Sequence, residues 1–96
     1  MYFKGEGVPK DHREAARWYR MAAEQGYANA QVNLGASYFA GSGLPKDYVQ
    51  AYMWFNLASS QGFEGASERR EIVAQFMTPA QIAQAQALSR NWKPKE

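Results

Sequence analysis

The side chains that most often carry acid–base, nucleophilic or metal chemistry are scarce in this 96-residue chain, which has one histidine and no cysteine. The histidine, His12, follows Asp11 at a predicted helix start, where a capping neighbourhood explains it. A serine nucleophile needs a partner base, and one histidine at a helix start is a poor candidate for that base. No group of His, Asp and Glu shows metal-ligand spacing. The sequence therefore predicts no enzyme, no cofactor and no metal, and a small hydrolase that depends on His12 is only a third hypothesis.

Two glycine-rich stretches have the composition of loops that bind nucleotide phosphates. Gly5-Glu6-Gly7 and Gly41-Ser42-Gly43 each lead towards a helix, but neither follows a predicted strand. A dinucleotide-binding loop needs that strand before it. We therefore interpret both stretches as turns between helices.

A row of basic side chains lies on the helix predicted over residues 11–25. Lys10, Arg13, Arg17 and Arg20 fall within about 80° of one another around that helix. Glu24 lies in the same stripe, Glu14 lies beside it, and the net charge of the chain is only +2. We interpret the stripe as solvated helix surface and expect no nucleic-acid partner.

The chain repeats itself at an offset of 36 residues. The segment Gly5–Asp11 returns as Gly41–Asp47, and 13 of the 29 aligned pairs from Tyr2/Tyr38 to Ala30/Ala66 are identical. A period of roughly 20 to 50 residues indicates stacked repeat units. Such units bury their apolar faces against neighbours and present an elongated surface for binding.

Capping residues and apolar spacing divide the chain into helices. Asp11 and Asp47 are predicted N-caps, with Glu14 and Gln50 three residues later as in a capping box. The predicted helices span residues 11–25, 28–40, 47–61, 64–77 and 78–92. The last of them starts at a capping box with proline at the first helical position. Residues 93–96 are expected to fray.

The apolar composition favours closely packed helices. The chain has 16 alanines and 14 aromatic residues but only 10 from Ile, Leu and Val. Alanine is the best helix former, large rings fill the space between helices, and a sheet would need more β-branched residues. The predicted inward residues include Ala15, Trp18, Tyr19 and Ala22 in one helix and Ala51, Trp54, Phe55 and Ala58 in its repeat. The sequence therefore predicts an all-α fold.

The repeated residues resemble a known family. The pattern is Leu34-Gly35, Tyr38, Gly41-x-Gly43, Pro45-Lys46-Asp47, Ala51, Trp54, Ala58 and Gln61-Gly62. It is similar to the Sel-one-like (Sel1-like) repeat family, an α/α-solenoid relative of the tetratricopeptide repeats. The resemblance implies an α/α solenoid of antiparallel helix pairs and an adaptor or scaffold role in protein complexes.

On this interpretation the chain is a single solenoid domain over residues 1–96. It comprises a truncated first repeat (1–27), a complete repeat (28–63), the first helix of a further unit (64–77) and a capping helix (78–92). The capping helix has no counterpart in the repeats and is similar to the terminal helix of bacterial members. Terminal units of repeat arrays are atypical because they cover an open end.

The resemblance to tetratricopeptide repeats implies peptide contacts on the concave face, which the first helix of each pair lines. The predicted partner-binding residues are Asn29, Val32, Asn33, Ala36, Phe39, Glu68, Arg69, Ile72 and Gln75. Val32, Phe39 and Ile72 would hold an apolar side chain, with polar neighbours bonding to its backbone or charges. Alternatively, Phe39 packs on the neighbouring helix and residues 68–71 form a solvated face.

The leading hypothesis is a non-catalytic module that binds a protein or peptide. The alternative is a purely structural C-terminal cap of a longer array. Residues 1–4 match the last turn of a helix whose body is absent, so self-association through this N-terminal end is a further hypothesis.

No run approaches the roughly 18 apolar residues of a membrane span. The resemblance favours a soluble bacterial protein, with cytoplasm and periplasm both left open.

Overall fold

A computed structural model describes residues 11–95, and these form five α-helices without a strand. The helices are α1 (His12–Glu24), α2 (Ala28–Ala40), α3 (Tyr48–Ser60), α4 (Ala66–Ala74) and α5 (Pro79–Asn91). The predicted all-α fold is confirmed. The glycine stretch at residues 5–7, Lys10 of the basic stripe and the predicted N-terminal end at 1–4 lie outside the described residues. None of the helices between residues 11 and 95 is long and apolar enough to cross a membrane.

Helix α3 is the centre of the packing. It packs against α2, α4 and α5, while α1 packs against α2. Seven of its thirteen residues are buried. Because short loops join successive helices, neighbours run antiparallel, as in an α/α solenoid.

The start of α3 shows how far the predicted capping boxes form. The Asp47 side chain accepts a hydrogen bond from the Gln50 backbone N–H at 3.1 Å, as an N-cap should. The Gln50 side chain does not complete the box, because its Oε1 accepts from Trp54 Nε1 at 3.2 Å. At α1, Asp11 caps the Arg13 N–H at 2.9 Å, and the Glu14 side chain stays exposed. Both N-caps are confirmed, and the two reciprocal bonds are not formed.

Helix α5 covers one side of α3. It starts at a complete capping box in which the Thr78 and Gln81 side chains each accept from the other residue's backbone N–H. At its C-terminal end, the Trp92 ring packs edge-on against Trp54, with ring centroids 5.9 Å apart. Trp54 is only 4% exposed as a result.

Trp18, which holds the same repeat position as Trp54, is 56% exposed. The prediction that it faces the core is wrong for the residues described. The buried residues of α1 are the small Ala16 and Ala23, which let α1 approach α2 closely. Among residues 11–95 no aromatic ring packs on Trp18 as Trp92 packs on Trp54.

A buried glutamine joins the ends of three helices. Gln31 of α2 is fully buried, and its Nε2 donates to the Ala23 carbonyl of α1 at 3.2 Å. Its Oε1 accepts from Gln61 Nε2 at the end of α3 at 3.0 Å. Gln61 Nε2 also lies 2.8 Å from the Gly26 carbonyl. These bonds satisfy a polar side chain that would otherwise be costly to bury, and they fix α1 and α3 relative to α2.

The residues after α5 return to the end of α1. The Lys95 backbone N–H donates to the Glu24 carbonyl at 2.7 Å, and its Nζ lies 3.1 Å from the Glu24 carboxylate. The Glu24 carbonyl belongs to the last turn of α1, where helical carbonyls lack partners and a cation is favourable. The expectation that this tail frays is therefore wrong for residues 93–95.

Candidate functional site

An apolar pocket lies between α2 and α4, which both pack on α3. Its volume is about 140 Å³. The lining residues are Ala36 and Phe39 of α2, Phe55 of α3, and Arg69, Ile72 and Val73 of α4. Four of them (Ala36, Phe39, Arg69 and Ile72) belong to the predicted partner-binding set. The structure therefore brings part of that set together around one pocket.

The floor of the pocket depends on a glycine. Phe55, from α3, is buried beneath α2 and α4. A Cβ atom at Gly35 of α2 would lie 2.9 Å from two atoms of the Phe55 ring, too close for an ordinary contact. Gly35 therefore lets the Phe55 ring reach the α2 backbone. The ring forms an aromatic surface at the bottom of the groove, as we call the pocket between α2 and α4 together with its rim.

A cluster of three aromatic rings adjoins the pocket. Phe39 lies 5.7 Å from Tyr48 and 5.5 Å from Phe76 between ring centroids, and Tyr48 lies 5.4 Å from Phe76. Phe76 is 55% exposed, so the cluster presents apolar surface to solvent. Tyr48 and Phe76 are absent from the predicted partner-binding residues. The spacing of Phe76 four residues after Ile72 is the signal that was available for it.

Arg69 is the cation at this pocket. Its side chain is exposed, and Nη1 contacts the Gly65 carbonyl at 3.3 Å. No carboxylate among residues 11–95 lies within ion-pair distance of it. Its neighbour Arg70 differs, because it pairs with Glu71 at 3.0 Å and donates to Asn56 at 2.8 Å.

The remaining predicted residues fall into two groups. Asn29, Asn33 and Glu68 are exposed on α2 and α4, and Gln75 is exposed at the C-cap of α4. None of the four lines the pocket. Val32 is 7% exposed and belongs to the core, so its predicted place on the open face is wrong. The reason is that α1 and α3 both pack on α2, which buries seven of its thirteen residues. A helix packed on two sides has a narrower open face than its periodicity suggests.

His12 lies near Ser37 and Ser42 but forms no hydrogen bond with either side chain among the described residues. An open cavity of about 250 Å³ is lined by His12, Ala15, Tyr19, Asn33, Ala36, Ser37 and Ser42. The Ser37 hydroxyl donates to the Asn33 carbonyl at 3.0 Å. Within the described part of the chain, no hydrogen bond joins the His12 imidazole to a serine hydroxyl. That part also holds no group of three or more metal-ligating side chains.

The basic stripe on α1 is partly neutralised. Arg13 lies 3.8 Å from the Asp11 carboxylate, and Arg20 lies 4.0 Å from that of Glu24. Arg20 also donates to the Tyr38 hydroxyl. Such contacts at exposed side chains contribute little to stability. They reduce the positive potential that a polyanion would need along this helix.

Comparison with known proteins identifies a repeat family and a similar solved structure. The Sel1 repeat family model matches residues 1–27 and 28–63. A solved structure of c5321, described as a protective antigen present in uropathogenic Escherichia coli strains and displaying an SLR fold, is similar with a TM-score of 0.85 and 45% sequence identity. That match covers 92% of this chain and 19% of the c5321 chain. No curated protein matches. With 63 of its 96 residues covered by two adjacent repeats, the chain belongs to the Sel1 repeat family.

Proposed function

We propose that the chain is a non-catalytic interaction module that binds a protein or peptide on the face shared by α2 and α4. The observation that carries this proposal is the pocket lined by Ala36, Phe39, Phe55, Arg69, Ile72 and Val73. Helical repeats of this kind commonly present their binding surface on one concave side. The pocket lies between the first helices of two successive predicted repeats, which is where that side is expected.

The surface around the pocket also supports binding. Ile72 is 49% exposed, and the aromatic cluster with Phe76 lies next to it. Apolar residues that are contiguous and exposed beside a pocket tend to be covered by a partner. A rim of polar side chains, such as Asn33 and Gln75, would complete the anatomy of an interface.

We expect Ile72→Glu to abolish capture of a partner that the parent chain retains. A carboxylate at this position would be desolvated in an apolar interface, so affinity should fall by tenfold or more. The measurement is affinity capture from a bacterial lysate, with helical content first compared by circular dichroism. Met21→Glu on α1 is the matched control, because Met21 is 50% exposed and lies away from the pocket. A partner lost equally from both variants would contradict the proposal.

The alternative is that the chain is a structural cap of a longer array. The covering of α3 by α5, through Trp92 on Trp54, favours it. The match covers only 19% of the c5321 chain, which is therefore much longer than this one. If this chain is likewise part of a longer array, partner contacts could lie in repeats outside residues 1–96. Empty capture by the parent chain would favour this alternative over the interaction module.

Self-association through the N-terminal end is a separate proposal. Residues 1–4 lie outside the described part of the chain, but Trp18 of α1 is more than half exposed. Sedimentation over a range of protein concentrations tests it. Strictly monomeric behaviour at high concentration would contradict it.

A further inference from the structure

The pocket between α2 and α4 has the size of one large side chain. Its volume is about 140 Å³, close to the roughly 150 Å³ of an apolar cavity that admits benzene. Five of its six lining residues are apolar, and Phe55 and Val73 are buried beneath the opening. A phenyl or branched aliphatic side chain would fill it, while a charged side chain would lose hydration without finding partners.

The charged side chain at the rim of the pocket is a cation. Arg69 lines the pocket, and no carboxylate among the described residues is within ion-pair distance of it. Its guanidinium rests beside Gly65, where a Cβ atom would lie 2.8 Å from Nη1, so the glycine leaves room for this conformation. An arginine with its donors open to solvent is suited to binding a carboxylate through two parallel hydrogen bonds.

A second cation stands at the aromatic end of the groove. Lys46 Nζ lies 5.9 Å from the centroid of the Tyr48 ring, which packs on Phe39 and Phe76. Glu68 of α4 lies outside the pocket lining, and its carboxylate accepts from the Ser67 hydroxyl at 3.3 Å. The positive charges therefore border the apolar surface at two places.

We infer that the partner segment is an extended peptide with one large apolar side chain and an acidic residue within two positions of it. The apolar side chain enters the pocket, and the carboxylate binds Arg69. This inference rests on the proposed interaction function and adds the chemistry of the ligand. A basic segment would meet like charge at the rim and is disfavoured by it.

The test is a selection from a random heptapeptide library displayed on phage, made in parallel on the parent chain, Arg69→Glu and Ile72→Glu. We expect the parent to enrich an apolar residue with a neighbouring acidic one, and Arg69→Glu to enrich the same apolar residue with a basic one. Ile72→Glu should enrich neither. Arg69 lies in the first turn of α4, where a carboxylate is favoured by the helix dipole, so Arg69→Glu should remain folded.

Fluorescence anisotropy of the labelled enriched peptide then measures how much its acidic residue contributes to binding affinity. Replacing its acidic residue with glutamine should weaken binding to the parent by up to about fivefold and leave binding to Arg69→Glu no weaker. An apolar motif without charge preference, or one unchanged by Arg69→Glu, would overturn this inference and leave the interaction function standing. Absence of any motif on the folded parent would overturn both. Concentration-dependent dimers that Ile72→Glu abolishes would show that a second copy, and not a peptide, occupies the groove.

Discussion

Trp54→Ala is expected to lower the free energy of unfolding by about 3–5 kcal/mol, the cost of removing a large aromatic side chain from a core. The same substitution at Trp18, which holds the equivalent place one repeat earlier, should cost about 1 kcal/mol or less. The difference follows from burial, because α5 covers Trp54 and none of the described rings covers Trp18. Trp54→Ala also removes the donor to Gln50 Oε1.

Urea denaturation followed by circular dichroism measures both values without depending on tryptophan fluorescence. A loss of this size approaches the whole stability of a small domain, so Trp54→Phe provides a milder variant that keeps the core filled. We expect the order of stability to be parent, Trp18→Ala, Trp54→Phe, Trp54→Ala. Equal losses at the two tryptophans would show that the burial of Trp54 by Trp92 does not persist in solution.

Gly43→Ala is expected to be the second most damaging of these substitutions. Gly43 has φ +81°, and a Cβ atom there would lie 2.1 Å from the His12 carbonyl oxygen. The loop before α3 would have to move away from the start of α1. Gly62 supplies the matched control, since its φ is +84° and a Cβ atom would meet nothing within 4 Å.

Both glycine substitutions force an L-residue into the left-handed region, which costs about 1–2 kcal/mol. Only Gly43→Ala adds a collision with backbone, and overpacking of this kind costs about 1–3 kcal/mol more. Thermal and urea unfolding of the two variants should therefore differ by that increment. If Gly62→Ala proved as destabilising as Gly43→Ala, the close approach of the loop to α1 would be disproved.

The helices were largely predictable because short local signals mark their ends. The predicted span 47–61 became Tyr48–Ser60, bounded by the Asp47 cap and a left-handed Gly62. The span 64–77 shortened to Ala66–Ala74. Gly65 supplies the helix start in a left-handed conformation, and the backbone N–H groups of residues 75–77 donate to the carbonyl three residues back, as in a tighter final turn. Caps and glycines act over a few residues, so a single sequence contains them.

Burial was less predictable because it depends on how many neighbours each helix has. Helical periodicity places Val32 on the open face of its helix and Trp18 towards the core. In the structure Val32 is buried and Trp18 is exposed. Helix α2 packs against both α1 and α3, and the periodicity of its sequence does not indicate how many helices pack on it. The groove shows the same limit. Four of its α2 and α4 residues were predicted, but the buried Val73 was not. Phe55 and Tyr48 come from α3 and enter the site only through tertiary packing.

The contact of the C-terminal tail with α1 has a consequence for cooperativity. In a linear solenoid each unit touches only its neighbours, so the ends open independently and stability is a sum of local contributions. Here the Lys95 amide is bonded to the Glu24 carbonyl, which joins the last described segment to the first helix. We therefore expect opening of α1 to release the tail, and the two ends of the described chain to open less independently than the ends of a linear array.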